Sequence, residues 1–224
     1  MKIGINAIFF VPGEGGGIER YLRNLIHSFQ KIDPKNEYVV FTNRDNTGTF
    51  GLGDNFHEYR VPISACSRIT KILWEQLILP LQIKRAGVDV LLSPGNIAPM
   101  FLPCPSAVVI HDLIPFRWPD NFRKDERCAL KLLFSTTARL SDKIITVSKS
   151  SQEQIEKLFH IPKKKISVVY EACDEVFLIP GNPVEDKMLL YKRLGIERDY
   201  ILYTAATRPH KNVKGLLKSF YQIG

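Results

Sequence analysis

The sequence predicts an α/β protein built on a doubly wound parallel sheet, and three features carry that expectation. Short runs rich in Ile and Val alternate with longer amphipathic stretches, the pattern of a parallel sheet covered by helices. The runs are continuously apolar, as strands buried on both faces must be. Polar or turn-forming residues stop them abruptly, and in such sheets ligands gather beyond the carboxyl ends of the strands.

The elements follow in chain order. Residues 3–10 form the first apolar run, and a Gly-rich turn leads into a helix whose Ile18, Leu22, Leu25, Ile26 and Phe29 keep helical spacing until Asp33-Pro34. Residues 38–41 and 57–61 read as the second and third strands. A helix over about 69–85 carries Ile72, Leu73, Leu77 and Ile83 on one side, with Gly87 just past its end. Residues 89–92 and 107–110 are strands, ended by Ser93-Pro94-Gly95 and His111-Asp112. Residues 124–140 read as a helix, 143–147 as a strand ending at Ser148, 151–159 as a helix and 165–170 as the closing strand.

The pattern weakens after Asp174, and Pro180-Gly181-Asn182-Pro183 marks a turn or linker. Residues 200–205 then read as a strand and the stretch from Asn212 toward Gly224 as a helix. One strand and one helix cannot bury a core. The expected organisation is therefore a first domain over 1–173, a linker over 174–198 and the opening of a second domain over 199–224.

Composition narrows the class. Apolar residues make up 45% and charged residues 24%, an ordinary globular balance. No run approaches the roughly 20 apolar residues of a membrane span, and Met1-Lys2-Ile3-Gly4-Ile5-Asn6 does not read as a secretory signal. The four cysteines, Cys66, Cys104, Cys128 and Cys173, form no C-x-x-C pair, which argues against zinc and a disulfide framework. They are expected as buried thiols in a reducing cytoplasm. The formal charge of +8 could attract anionic lipid or phosphorylated substrates. Nucleic acid is not expected, because the basic residues are not interleaved with exposed aromatics.

Several strand ends could carry chemistry. Gly13-Glu14-Gly15-Gly16-Gly17 precedes a helix, so Gly16 and Gly17 either cradle a phosphate or simply make the turn. The dinucleotide fingerprint is absent, since Ile18 or Arg20 stands where its third glycine belongs. His111, directly after a buried strand, projects into the crevice or holds the following loop, with Asp112 the carboxylate beside it. Ser148 is either a pocket residue or the N-cap of the next helix. Arg208 and Lys211 place cations before a helix N-terminus, opposing its dipole unless an anion sits there.

Taken together, these residues resemble the family-four retaining glycosyltransferases with the GT-B fold of two Rossmann-like domains. Gly16-Gly17-Ile18-Glu19-Arg20 is similar to the family's glycine loop and first helix. His111-Asp112-Leu113-Ile114-Pro115 is similar to the segment after its sugar-facing strand. Ile144-Ile145-Thr146-Val147-Ser148 is similar to the late part of its first domain, and Arg208-Pro209-His210-Lys211-Asn212 to the entrance of its second. The resemblance implies that the glycine loop faces the donor diphosphate, that His111 lines the sugar pocket near the reacting carbon, and that Lys211 neutralises the diphosphate leaving group. It implies a nucleotide-sugar donor, a glycan or lipid-linked acceptor, and neither cofactor nor metal. Many members carry Arg where this chain has Ala206. Similar departures occur in a subgroup resembling bacterial mannosyltransferases of surface-polysaccharide synthesis, which points to GDP-mannose as donor. The basic surplus fits a cytoplasmic enzyme that touches the inner face of the plasma membrane. The family's paired glutamates belong beyond Gly224, so these residues alone are expected to be inactive. Two rivals stand beside this reading: a sugar-nucleotide epimerase or hydrolase on the same scaffold, and a non-catalytic interaction module.

Overall fold

A computed structural model describes residues 1–198, 200–205 and 208–223. The chain divides into two compact units, Met1–Glu171 and Ala172–Gly224.

The first unit is a parallel sheet of seven strands: β1 (Lys2–Asn6), β2 (Glu37–Thr42), β3 (Phe56–Arg60), β4 (Val90–Ser93), β5 (Ser106–Ile110), β6 (Lys143–Thr146) and β7 (Ile166–Val168), in the order β3-β2-β1-β4-β5-β6-β7. Chain order runs outward in one direction from β1 to β3 and in the other from β4 to β7. The switch point lies between β1 and β4, where doubly wound sheets open their ligand crevice.

Successive side chains of a strand point to opposite faces, and β2 shows how both faces are buried. Tyr38 and Val40 join Ile5 and Phe56 beneath Leu22 and Ile26 of α1 (Gly16–Ile32). Val39 and Phe41 join Leu91 beneath Leu79 and Ile83. A third cluster packs Val108, Ile110 and Ile144 under Phe134 and Ala138 of α5 (Lys124–Leu140) and under Ile155 and Phe159 of α6 (Lys149–Phe159). Each such aliphatic side chain contributes about 1.5–3 kcal/mol when fully buried. Gly4 of β1 is closely packed: a Cβ there would lie 3.0 Å from Val88 and 3.1 Å from Leu91, so both side chains would have to give way.

The expected helix over 69–85 is a composite. It comprises α2 (Arg68–Leu73), a π-helical turn (Trp74–Ile78) and α3 (Leu79–Arg85). Leu73 and Leu77, expected on the apolar side with Ile72 and Ile83, are exposed, whereas Glu75, Leu79, Gln82 and Ile83 are buried. A π turn takes up more residues than an α turn, so positions beyond it rotate relative to a uniform 3.6-residue period. Trp74 closes this region by donating its Nε1–H to Gln82 Oε1 at 3.1 Å.

Other boundaries shift slightly. The helix expected from 151 starts at Lys149, and the closing strand expected over 165–170 is confined to Ile166–Val168. The thiols differ from expectation more: Cys66, Cys128 and Cys173 are exposed and all four cysteines are free. Only Cys104 is partly buried, packed against the cluster around Leu91.

In the second unit, the stretch expected as a linker holds α7 (Pro183–Leu194), capped by Asn182, whose side chain accepts from Val184 N–H, and ended by Gly195 at φ 65°. Residues 200–205 carry no assigned strand among the described residues, since a strand is defined by a ladder neighbour. The final helix is α8 (Val213–Ile223). Among the described residues, no helix is long and apolar enough to cross a membrane.

Candidate functional site

The carboxyl ends of β1, β4, β5 and β6 deliver Asn6, Ser93, His111 and Ser148 to one edge of the sheet. His111 follows Ile110 directly and is 9% exposed. Its Nε2 lies 3.0 Å from the Pro94 carbonyl, which can only accept, so that nitrogen carries a hydrogen. Its Nδ1 lies 3.1 Å from Glu171 Oε1 and closes an ion pair when the ring is protonated. The backbone N–H of His111 donates to Asn96 Oδ1 at 2.8 Å, with Asn96 held at φ 69°. The Tyr21 ring meets the imidazole edge to face, centroids 4.8 Å apart. Burial, and secondarily the Glu171 carboxylate, push the Tyr21 phenol above its ordinary pKa.

The carboxylate beside His111 is thus Glu171, where the sequence pointed to Asp112. Asp112 Oδ1 accepts from Ile114 N–H at 3.0 Å, at the start of the short helix α4 (Ile114–Arg117). Ser148 is the N-cap of α6, its Oγ accepting from Ser151 N–H at 3.1 Å. Ser151 in turn donates to the His111 carbonyl at 3.3 Å, which ties the capped helix to the histidine.

The glycine turn opens α1, with Gly15 as N-cap and Gly16 at φ 57°. The first amides of a helix have no intrahelical acceptor, so those of Gly16 and Gly17 look for an acceptor outside the helix. The neighbouring amides are already engaged: Glu19 Oε2 accepts from Gly13 N–H at 2.8 Å and from Gly15 N–H at 3.3 Å. Arg23 holds the other Glu19 oxygen at 2.9 Å. Tyr21, one turn along the same helix, joins this loop to His111.

A further polar cluster, not foreseen from the sequence, stands at the switch point. Glu75 is 3% exposed, and its Oε1 accepts from Asn6 Nδ2 at 2.6 Å. Burial pushes its carboxyl up to about 7, against the lowering effects of Asn6 and Lys71. Lys71 donates to the Phe9 carbonyl at 3.0 Å, and burial lowers its own pKa. Ser93 Oγ is buried and has no hydrogen-bond partner among the described residues.

Arg208 and Lys211 belong to the second unit. Both are exposed at a short 3₁₀ turn before α8, where Lys211 accepts through its carbonyl from the Tyr203 hydroxyl at 2.8 Å. Ala206, the departure noted in the sequence, lies outside the described residues. His111, Asp112, Ser148 and the Gly16–Gly17 turn thus belong to one unit, and Arg208 with Lys211 to the other.

A stretch of the chain is 25% identical over 112 residues to the O-antigen chain mannosyltransferase RfbU of Salmonella typhimurium, covering 50% of this chain and 28% of that protein. It is 29% identical over 115 residues to O-antigen chain mannosyltransferase B of Escherichia coli, covering 51% and 30%. These matches span less than a third of either relative. Among solved structures, the fold is similar to that of Anabaena HepE in complex with UDP and glucose, with a TM-score of 0.62 at 17% identity over 100% of this chain and 58% of that chain. It is also similar to a UDP-N-acetylglucosamine 2-epimerase, with a TM-score of 0.52 at 14% identity over 84% and 54%. At such identities the likeness is one of fold, the Rossmann-like sheet of GT-B proteins. The family model described as Glycosyltransferase Family 4 matches residues 15–176. That span runs from the glycine turn through His111 to Glu171, and the chain belongs to Glycosyltransferase Family 4.

Proposed function

We propose that the chain is the acceptor-side lobe, with the start of the donor-side lobe, of a retaining glycosyltransferase. On this reading it transfers a hexose, mannose from GDP-mannose, to a lipid-linked or surface-polysaccharide acceptor. Family membership and the O-antigen mannosyltransferase relatives support the reaction class. The observation that carries the site is the His111 ring, fixed between Pro94 and Glu171 and packed on Tyr21 of the helix that the glycine turn opens.

In this reading His111 lines the sugar pocket. The glycine turn faces the donor phosphates with the amides that Glu19 leaves open. Transfer breaks the bond between the anomeric carbon and the departing phosphate oxygen, leaving negative charge on the diphosphate. Fixed cations stabilise such charge as it develops, which is the work assigned to Lys211 with Arg208. Asp112 and Ser148 hold the pocket wall through the contacts described above. Paired glutamates of the donor-side lobe complete the donor site, so these 224 residues alone turn over no donor.

The site works at the inner face of the plasma membrane. Ile69, Leu73, Leu77 and Leu81, spaced by four along α2, the π turn and α3, form an exposed aliphatic stripe. Exposed Lys84 lies beside it and exposed Arg68, which is paired with Glu126, stands at its start, a combination suited to an anionic lipid surface.

The test is transfer itself. A protein extending these residues through the donor-side lobe is incubated with labelled GDP-mannose and a lipid-linked glycan. Labelled lipid product is expected, and His111→Ala is expected to lower kcat about a hundredfold. Full turnover by the His111→Ala protein would remove the site assignment.

A further inference from the structure

We infer that Glu171 is a positioning residue for the transfer: its carboxylate holds the His111 imidazole in its working orientation at the carboxyl edge of the sheet. The inference rests on the glycosyl-transfer reading above and adds a residue to that site.

The sheet brings the two residues together from segments 60 residues apart. Ile110 pairs with Thr146 and Thr146 with Val168, so these three stand in one row across β5, β6 and β7. His111 follows that row directly. The chain after β7 stays on the ladder for one residue more, with Val169 N–H donating to the Thr146 carbonyl at 2.8 Å. Glu171 comes two residues later. Parallel strands end on the same side, so both residues arrive at the same edge.

The backbone of His111 is held without Glu171. Its N–H donates to Asn96 and its carbonyl accepts from Ser151. The ring is held differently. Nε2 donates to the Pro94 carbonyl, and that bond alone leaves the imidazole room to pivot. The Tyr21 ring packs against it edge to face, an attraction that carries no hydrogen bond between the two rings. Glu171 Oε1, 3.1 Å from Nδ1, supplies the second fixed point.

A carbonyl oxygen and a carboxylate oxygen can only accept. The two contacts therefore hold together when both ring nitrogens carry hydrogen, and Glu171 balances the charge that the ring then bears. The Tyr21 phenol lies in the field of the same carboxylate, which adds to burial in raising its pKa.

Exposure separates this role from a purely structural one. The His111 side chain is 8% exposed, whereas that of Glu171 is 48% exposed. Glu171 belongs to none of the three hydrophobic clusters, and an ion pair with so open a partner adds little to stability. What it supplies is geometry. Misplacing a group at a reacting centre by about 1 Å can cost on the order of a hundredfold in rate.

The test compares Glu171→Gln and Glu171→Asp with the parent in the protein extended through the donor-side lobe, using labelled GDP-mannose and a lipid-linked glycan. Glu171→Gln is expected to lower kcat about tenfold, the worth of one hydrogen bond to a charged group, with the acceptor KM and the thermal midpoint unchanged. Glu171→Asp keeps the carboxylate and is expected to recover most of that rate. In the 224-residue chain, ¹⁵N NMR of the imidazoles is expected to show the His111 Nδ1 signal moving in Glu171→Gln while the other four histidines keep theirs. A parental kcat in Glu171→Gln, or an unmoved Nδ1 signal, overturns the positioning role. The glycosyl-transfer reading survives that failure if His111→Ala still loses its turnover in the same assay. If the parent transfers no sugar, that reading fails, and the Nδ1 signal still decides whether Glu171 holds the ring.

Discussion

Glu75 is a carboxyl group that the fold keeps away from water, and this has a measurable cost. Its ordinary pKa of 4.5 rises to about 7 in the folded chain. Between those values the folded state holds a proton that the unfolded state has released. Its contribution to stability is therefore fully present below pH 4.5 and is lost as pH rises through about 7. The loss is about 3 kcal/mol. Glu75→Gln removes the titrating group, so urea denaturation should show the variant gaining on the parent chain by roughly that amount between pH 4.5 and 8. A constant difference across that range would show that Glu75 is not held in this environment. Ser148 gives a simpler expectation at the same scale. Losing its cap on α6 should cost about 1 kcal/mol in Ser148→Ala, read from the denaturation midpoint. His111 was legible from the sequence because it ends an apolar strand. The contacts of Tyr21 and Glu171 with His111 were not, because each reaches the histidine from a distant segment, and Glu75 was hidden in a stretch read only for its apolar spacing.

At the level of elements, the buried strands were the easiest to read, since burial on both faces leaves an unbroken apolar run. The helix α5 was read with its full extent, Lys124–Leu140. The composite helix was misread because Leu73 and Leu77 keep helical spacing yet face outward, while Glu75 and Gln82 take core positions. Hydrophobic periodicity cannot register a π turn whose inward residue is a carboxylic acid. The helix α7 left a signal that was taken for a linker: Asn182 at the cap, Pro183 at the first turn and Gly195 in the left-handed conformation at the end. The exposed stripe of α2 and α3 carries its own prediction. Leu73→Glu with Leu77→Glu should abolish co-sedimentation with vesicles containing phosphatidylglycerol and leave thermal stability nearly unchanged. Retained vesicle binding would remove the membrane face from the account.

At the scale of the whole molecule, the fold class was readable because layer pattern and strand ends agree, and the sheet order places its switch point between β1 and β4. The assignment of donor and acceptor sides was not readable from pattern alone; it rests on the family resemblance and belongs to the proposed function. The two units, Met1–Glu171 and Ala172–Gly224, divide the candidate residues between them, with His111 in one and Lys211 in the other. On the glycosyl-transfer reading, separating these roles lets one lobe hold the acceptor while cations of the other receive the departing diphosphate. Lys211→Ala in a protein that includes the donor-side lobe should accordingly lower kcat about a hundredfold, with acceptor affinity unaffected. An equal loss of acceptor affinity would argue against that division.

The most direct measurement is the anomeric configuration of the product formed from GDP-mannose by that longer protein, read by NMR of the new linkage. The account predicts an α-mannoside, the configuration of the donor preserved. A β-mannoside, or no transfer of sugar to any glycan acceptor, would contradict it.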